Sequence, residues 1–197
     1  QLPVGARVAG VSWSPNGERF LVTVVTDGGS ELWMGRSDGR GATRLVTDRL
    51  HTLTGGPRWG REGDRVLCRL VPEDRGEAPV ASRVPTGPNV QQTDGSKSPL
   101  RTYQDLLTSA YDADIWEYHA TSELALVDLD TSEVTSLGTG GFSSASLSPD
   151  APWLMTARIP RPSSSLMPSY LCPQRIEVAP VAALDSPAVT FDIPVGE

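Results

Sequence analysis

Two histidines, His51 and His119, are the imidazoles that this chain could offer as a general base. A serine nucleophile needs such a base, and in hydrolases it sits on a strained strand-to-helix turn with a glycine on either side. The nearest approach to this pattern, Gly141-Phe142-Ser143-Ser144-Ala145, lacks the second glycine and precedes a predicted strand instead of a helix. We therefore predict that these residues begin a strand, that both histidines are structural or solvent-exposed, and that the chain holds no catalytic residue.

The spacing of the residues that could bind a metal or a phosphate predicts neither a metal site nor a cofactor. No histidine pair has the i, i+4 spacing of a zinc-binding helix, and the Asp112 and Asp128 regions lack the glycine and distal glutamate of a calcium loop. The glycine-rich segment 138–141 has no following Lys-Ser/Thr for a phosphate. Cys68 lies in a predicted buried strand, where a free thiol packs as a small apolar side chain; a bridge to Cys172 is the alternative.

The composition indicates a folded, turn-rich chain. It has 197 residues with 38% hydrophobic and 21% charged residues, and its 19 glycines and 17 prolines are typical of all-β architectures with many short strands. The formal net charge of −7 and the lack of a basic cluster argue against a nucleic-acid partner. No apolar run approaches the roughly 18 residues of a membrane span, and no signal peptide is visible.

A short phrase, Ser12-Trp13-Ser14-Pro15-Asn16-Gly17, indicates the architecture. It returns in altered form around Trp59, 46 residues after Trp13, and again around Leu147, a further 88 residues on. Each copy joins two predicted strands, and the first spacing fits the roughly 40–50 residues of a β-propeller blade. Four short strands joined by Gly/Asp turns make one such blade. We therefore predict an all-β fold of about three four-stranded antiparallel blades.

The blade boundaries follow from these repeats. Residues 1–54 form the predicted first blade, 55–141 the second and 142–197 the third. The long second spacing is explained by an insertion at about residues 72–121, which is rich in proline and then helical. Thr102 and Asp105 resemble a capping box, and Asp114 to His119 are predicted as a second helical turn. A second long loop, residues 160–173, leaves the third blade at the same place, between its second and third strands. Such insertions map to one face of a repeat protein, often the binding face.

Three blades do not close a propeller, since closed ones have typically about four to eight. We therefore expect the chain to be part of a larger propeller, whose remainder has been cut off or is supplied by other chains.

The insertion also carries a resemblance to a known family. The relevant segments run from Gly87 to Leu107, through Ala120-Thr121-Ser122, to Arg158-Ile159-Pro160-Arg161-Pro162. Together they resemble the non-catalytic β-propeller of the prolyl oligopeptidase superfamily of serine peptidases, most closely its glutamyl endopeptidase branch from chloroplasts and bacteria. The resemblance covers nearly the whole chain. In the last segment Pro160 replaces the histidine of the family pattern, so a role for that histidine is not carried over.

This resemblance implies a seven-bladed propeller that caps an α/β-hydrolase domain bearing the Ser/Asp/His triad, a domain that is absent from this chain. The implied partners are the remaining blades, the hydrolase domain and a peptide substrate, and the implied location is plastid, periplasmic or secreted. If the substrate is an acidic peptide, the loop guanidinium groups of Arg158, Arg161 and Arg101 are candidates to bind its carboxylates. The alternative for each is a salt bridge to a neighbouring carboxylate, or solvation.

Three hypotheses for function remain at this point. The first is the propeller portion of a serine peptidase, which gates and positions peptides for a catalytic domain elsewhere. The second is a non-enzymatic propeller that serves as a protein- or glycan-binding platform. The third is a ring assembled from several short chains. A Gly-x-Ser-x-Gly elbow in the downstream coding sequence separates the first from the second.

Overall fold

A computed structural model of the chain describes Leu2, residues 5–81, Leu107, and residues 109–149, 152–158, 174–182 and 189–193. Within these residues the chain forms twelve β-strands and one α-helix, and the strands make three separate four-stranded sheets. All strand pairs within the sheets are antiparallel. The predicted fold class is therefore confirmed.

Each sheet is built from strands that are consecutive in the chain, with the helix inserted into the second sheet. The elements of the first sheet are β1 (Arg7–Trp13), β2 (Arg19–Val25), β3 (Ser30–Arg36) and β4 (Ala42–Val46). Those of the second sheet are β5 (Arg58–Trp59), β6 (Arg65–Leu70), α1 (Ala110–Ala120), β7 (Ser122–Asp128) and β8 (Val134–Gly140). Those of the third sheet are β9 (Phe142–Leu147), β10 (Trp153–Arg158), β11 (Gln174–Pro180) and β12 (Val189–Ile193).

The repeated phrase forms the same tight turn in all three sheets. Backbone hydrogen bonds close a loop of the same length each time, from Ser14 N to Arg19 O (2.9 Å), from Gly60 N to Arg65 O (2.8 Å), and from Ser148 N to Trp153 O (2.8 Å). In the first copy the Ser14 hydroxyl also accepts a hydrogen bond from Arg19 N at 3.0 Å. Gly17 adopts a φ of 72°, which a residue without a side chain adopts at little cost.

The sheets stack face to face, with the second sheet between the other two. Because side chains alternate between the faces of a strand, Val66 and Cys68 of β6 pack toward the first sheet while Leu67 packs toward the third. The two resulting cores are centred on Leu21 and Leu32 on one side and on Phe142 and Leu154 on the other. Fully burying one such side chain contributes about 1.5–3 kcal/mol, so these contacts hold the stack together.

The outer sheets each present an apolar face that is not covered by another sheet. On the first sheet, Val8, Val11 and Trp13 are 54–60% exposed. On the third sheet, five large apolar side chains of β10 and β12 are 41–56% exposed: Trp153, Met155, Val189, Phe191 and Ile193. The register places these five on one face, since Met155 pairs with Val178, which pairs with Val189.

The described helix contains the helical turn that was predicted at Asp114 to His119. The predicted cap at Thr102 and Asp105 lies outside the described residues, whereas α1 begins after Ser109 and has its own capping box with Asp112. Asp112 N donates to the Ser109 hydroxyl (3.2 Å) and Ser109 N donates to the Asp112 carboxylate (2.9 Å). Cys68 is buried and free, as one of the two alternatives proposed, and Cys172 is not among the described residues.

Candidate functional site: the insertion end of the sheets

The two long connections leave the same end of the stacked sheets. Antiparallel alternation places the ends of β2, β6 and β10 beside the starts of β3, β7 and β11. The connection of residues 71–121 leaves this end from the second sheet, and that of residues 159–173 leaves it from the third. The connection between the first and second sheets, residues 47–57, passes over the same end. We call this end of the sheets the insertion end.

Arg158 is the one predicted substrate-contact residue that the structure describes. It is the last residue of β10, and its Nε donates to Glu177 Oε2 at 3.1 Å. Its guanidinium carbon lies 4.3 Å from the centre of the Phe142 ring, within the range of a cation–π contact. A Cβ on residue 140 would lie 2.2 Å from Arg158 Nη1, so Gly140 leaves room for this arrangement. The guanidinium is thus held in one place by a carboxylate on one edge and an aromatic ring below.

The space around Arg158 is small. A cavity of about 140 Å³ between the second and third sheets is lined by Thr139, Phe142, Thr156, Arg158 and Glu177, among others. This is below the roughly 300–1,000 Å³ of ligand pockets, although it has room for several water molecules. Arg158 forms a salt bridge to a neighbouring carboxylate, which was the predicted alternative to substrate contact. Its side chain nevertheless remains 38% exposed. The other two candidates, Arg161 and Arg101, lie outside the described residues, as does Pro160.

Arg49 ties the 47–57 connection to both ends of the insertion. Its Nε donates to the carbonyl oxygen of Val71 (3.0 Å), and its Nη2 donates to Glu123 Oε2 (2.8 Å). Its Nη1 pairs with Glu73. Charge-assisted hydrogen bonds of this kind are stronger than neutral ones, and one guanidinium here joins the residues just before and just after the insertion. Sequence reasoning missed this residue, since its partners lie 22–74 positions away.

His51 makes a second link between the same connection and the helix. The ring is 5% exposed, and its Nε2 lies 2.7 Å from the carbonyl oxygen of His119, so Nε2 carries the proton that is donated. Burial lowers the pKa of His51, and the nearby Arg75 and Arg69 cations lower it further, against the raising effect of the bond to His119. His51 is therefore neutral at pH 7. The prediction that it is structural agrees with this geometry.

Arg75 and Tyr118 fix the helix from the other side. Arg75 Nη2 donates to the carbonyl oxygen of Thr121 (3.0 Å), and its guanidinium carbon lies 5.1 Å from the centre of the Tyr118 ring. The Tyr118 hydroxyl donates to the carbonyl oxygen of Gly76 (3.1 Å). Between the helix and the 47–57 connection lies an open cavity of about 630 Å³, lined mainly by apolar side chains that include Leu53, Ile115 and Trp116. Its size is within the range of ligand pockets.

Within segment 141–145, which was considered as a nucleophile turn, residues 142–145 form part of a β-strand. Phe142 begins β9 as predicted and is 2% exposed, and the Ser143 hydroxyl donates to the carbonyl oxygen of Ala157 at 3.0 Å. Across the residues that the structure describes, no three His, Cys, Asp or Glu side chains are grouped as a metal site would require. In the same residues no helix is both long enough and apolar enough to cross a lipid bilayer.

Comparison with known proteins identifies what the chain is similar to. No protein-family model matches it. A probable chloroplastic glutamyl endopeptidase of Oryza sativa subsp. japonica is 32% identical over 187 residues, which cover 89% of this chain and 20% of the rice protein. Its counterpart in Arabidopsis thaliana is 29% identical over 187 residues, which cover 90% of this chain and 19% of that protein. The chain therefore spans about a fifth of the length of these relatives, and the predicted resemblance is confirmed.

Solved structures show the same fold at much lower identity. The β-propeller domain of the Trilobed protease from Pyrococcus furiosus matches 96% of this chain and 43% of its own, with a TM-score of 0.53 and 10% identity. An acylaminoacyl peptidase of Pyrococcus horikoshii matches 96% of this chain and 25% of its own, with a TM-score of 0.51 and 9% identity. A eukaryotic initiation factor matches 98% of this chain and 34% of its own, with a TM-score of 0.52 and 8% identity. These matches show a propeller-type fold.

Proposed function

We propose, from the similarity to glutamyl endopeptidases, that this chain is the propeller portion of a serine peptidase. In this proposal it gates and positions peptide substrates for an α/β-hydrolase domain that lies outside the chain. The single observation that carries the proposal is the 32% identity over 187 residues to the rice protein, because the structural matches are shared with an initiation factor. The blade boundaries at residues 54 and 141 remain part of this proposal.

The insertion end is the part of the chain that we assign to substrate contact. Both long connections leave there, and Arg49, His51 and Arg75 hold the described part of the larger one against the sheets. A propeller face with fixed walls can restrict which peptides reach a neighbouring active site, which requires no chemistry from the propeller itself. The apolar outer faces of the first and third sheets would contact the remaining blades.

Arg158 is the substrate-contact residue that this proposal can test most directly. A guanidinium that is already oriented by Glu177 and Phe142 loses little freedom when it binds a second carboxylate. We propose the same role for Arg161 and Arg101, which stand in the connections that leave the insertion end. The ligand in each case is a carboxylate of an acidic peptide, which pairs with a guanidinium through charge-assisted hydrogen bonds.

The test uses the intact protein that carries this chain and a pair of peptides that differ only in one Glu-to-Gln replacement. Arg158→Leu should lower kcat/KM for the acidic peptide about tenfold, which corresponds to about 1.4 kcal/mol. The kcat/KM for the neutral peptide should hardly change. Arg36→Leu is the matched control, because Arg36 also pairs with a nearby carboxylate (Nε to Asp38 Oδ2, 3.3 Å) but lies at the end of the sheets away from the insertion end. Equal losses on both peptides would remove Arg158 from substrate recognition.

A separate measurement tests the proposal as a whole. The 197-residue chain alone should hydrolyse no peptide, and the coding sequence that continues from it should contain a Gly-x-Ser-x-Gly elbow. A complete coding sequence without that elbow would favour the binding-platform hypothesis. Turnover by the pure chain that is lost when one of its own serines is replaced would contradict the assignment of catalysis to another domain.

A further inference from the structure

Arg69 is a buried cation for which the described residues provide no counter-charge. It lies in β6 and is 5% exposed, and its Nε is buried without a hydrogen-bond partner. Two other arginines that are largely withdrawn from solvent are paired with carboxylates, Arg19 with Asp130 at 2.6 Å and Arg49 with Glu123 at 2.8 Å. Among the residues that the structure describes, no carboxylate forms a salt bridge with Arg69.

An unpaired guanidinium in this position is costly. Removing a charge from water costs several kcal/mol unless a partner of opposite charge replaces the solvent. Burial and the charge of Arg58 both lower the pKa of Arg69, but a guanidinium remains protonated at neutral pH and cannot relieve the cost by losing a proton. Arg69 therefore stays positively charged, and no carboxylate of the described residues neutralises it.

Among the described residues, the charge that acts most clearly on Arg69 is another cation, Arg58. Arg58 pairs with Leu67, and Leu67 is two residues from Arg69 on the same strand, so both arginines lie on the same face of the second sheet. Arg69 also lowers the pKa of His51, as does Arg75, so two guanidinium groups lie close to this imidazole. Charges of one sign that gather in a half-buried place favour an incoming ion of the other sign.

Two hydroxyl groups near Arg69 also lack partners. The Thr54 and Ser122 hydroxyl oxygens are buried and make no hydrogen bond. Thr54 precedes Gly55, where an added Cβ would lie 2.7 Å from Arg69 Nη1, so the loop passes directly over the guanidinium. Ser122 is two residues before Leu124, which pairs with Arg69, and therefore lies on the same face of the sheet. Hydroxyl groups can donate to an anion that the guanidinium attracts.

We propose that Arg69 and Arg58 form a binding site for a single carboxylate group at the insertion end, with Thr54 and Ser122 as neutral donors. The carboxylate belongs either to a bound peptide or to another segment of the intact protein, since the same chemistry serves both. The absence of a side chain at Gly55 lets the loop lie against the Arg69 guanidinium, since a Cβ there would be 2.7 Å from Nη1. This inference does not depend on whether the intact protein is a peptidase.

The first experiment measures binding to the 197-residue chain. The probes are N-acetylglutamic acid α-amide, which carries one side-chain carboxylate, and its neutral isostere N-acetylglutamine α-amide, at constant ionic strength. The carboxylate probe should bind saturably, shift the Arg69 Nε–H resonance, and raise Tm with increasing concentration, because a ligand that binds only the folded state stabilises it. The neutral probe should do none of these.

The variants assign the site. Arg69→Met should weaken binding of the carboxylate probe at least tenfold, and Arg58→Met should weaken it several-fold. Arg19→Met is the matched control, because Arg19 is also largely buried but is already paired, and it should leave probe binding unchanged. Arg69→Lys, which keeps the charge, covers the case in which the methionine variant does not fold, and should bind the probe more weakly than the natural chain. Equal binding by the Arg69 and Arg19 variants would overturn the proposal.

Repeating the titration on the intact protein separates the two sources of the carboxylate. If the intact protein also binds the probe, the natural ligand comes from outside, as a peptide carboxylate would. If the chain binds the probe and the intact protein does not, a carboxylate of the same protein already occupies the site. Both results support the site, whereas a chain that does not distinguish the charged probe from the neutral one refutes it.

Discussion

His51 shows how a single side chain can make the stability of the insertion depend on pH. Its ring is buried and uses Nε2–H to hold the carbonyl oxygen of His119. Because the folded state lowers the pKa of His51 below the ordinary 6.5, the unfolded chain binds a proton more readily than the folded one. The stabilising contribution of His51 is therefore complete above about pH 6.5 and is lost as the pH falls toward the lower pKa of the folded state.

Replacing His51 should remove this dependence. His51→Gln keeps a donor near the carbonyl oxygen but cannot be protonated, so we expect a loss of about 1 kcal/mol at pH 7 and a flatter Tm profile between pH 7 and pH 5. His119→Gln is the control, since the acceptor is the backbone carbonyl group of residue 119 and survives the change. If both variants keep the Tm profile of the natural chain, the pH dependence does not come from His51.

Cys68 should be chemically inert in the folded chain. Burial, together with the charge of Glu123, raises the pKa of its thiol to about 12, so almost no thiolate forms near neutral pH. Brief treatment with iodoacetamide at pH 8, followed by peptide mapping, should leave Cys68 unmodified in the folded chain and modified after unfolding in guanidinium chloride. Rapid modification of folded Cys68 would mean that the stacking of the first two sheets opens on that timescale.

The single described helix depends on its first turn. Ser109 and Asp112 form a reciprocal capping box, which satisfies backbone donors that the helix itself leaves free. Ser109→Ala should cost about 1 kcal/mol and should speed hydrogen exchange of the amides at the start of α1. Ser109→Thr keeps the capping oxygen and should exchange as the natural chain does. Unchanged exchange in the alanine variant would show that Tyr118 and Arg75 hold the helix without its cap.

The strands could be predicted from the sequence because local chemistry determines them. The Ser-Pro-Asn-Gly turn and its two relatives close with the same backbone hydrogen bond, and each is followed by a strand that contributes side chains to a core. The strand of the middle sheet contributes to both cores, because its alternating side chains face opposite ways. The helical stretch predicted after Thr102 falls mostly on residues outside the described part of the chain, whereas the turn predicted at Asp114 to His119 lies within α1. The capping residues of α1, Ser109 and Asp112, were not predicted, although they have the same spacing as Thr102 and Asp105.

The site was predictable only in part. Arg158 stands at the end of a strand that the repeat identifies, and the possibility of a salt bridge was open from the start; its partner Glu177 follows from the register of β10 and β11. Arg49 and Arg69 could not be recognised from the sequence, and the partner of His51 could not be predicted, since these contacts depend on residues that the fold brings together across the insertion. No local spacing distinguishes a paired arginine from an unpaired one.

At the scale of the whole molecule, the stack has an interior and two apolar ends. The second sheet is buried on both faces, while Val11 and Trp13 on one outer face and Met155 and Phe191 on the other remain about half exposed. Contiguous apolar patches of this kind on soluble proteins usually contact another surface. The simplest consequence is that isolated chains associate through these faces as their concentration rises.

This consequence can be measured and controlled. By sedimentation velocity, the chain should associate at micromolar concentrations, and the double variant Met155→Glu/Phe191→Glu should weaken that association at least tenfold, because a buried carboxylate without a partner is strongly disfavoured. Val134→Glu is the control: it adds one carboxylate at a strand residue that is 43% exposed but belongs to the middle sheet, so association should persist. A natural chain that stays monomeric throughout would contradict this expectation.

The same variant distinguishes association of isolated chains from a structural role in the intact protein. If further blades cover the face of the third sheet, Met155→Glu/Phe191→Glu must place two carboxylates in a buried interface, and the intact protein should lose several kcal/mol of stability. If that face is exposed in the intact protein as well, its Tm should hardly change while its association weakens. The first outcome supports a larger propeller, in which further blades pack against the third sheet and extend the surface at the insertion end. The second would mean that the three sheets end the stack, and that the exposed face binds a separate partner.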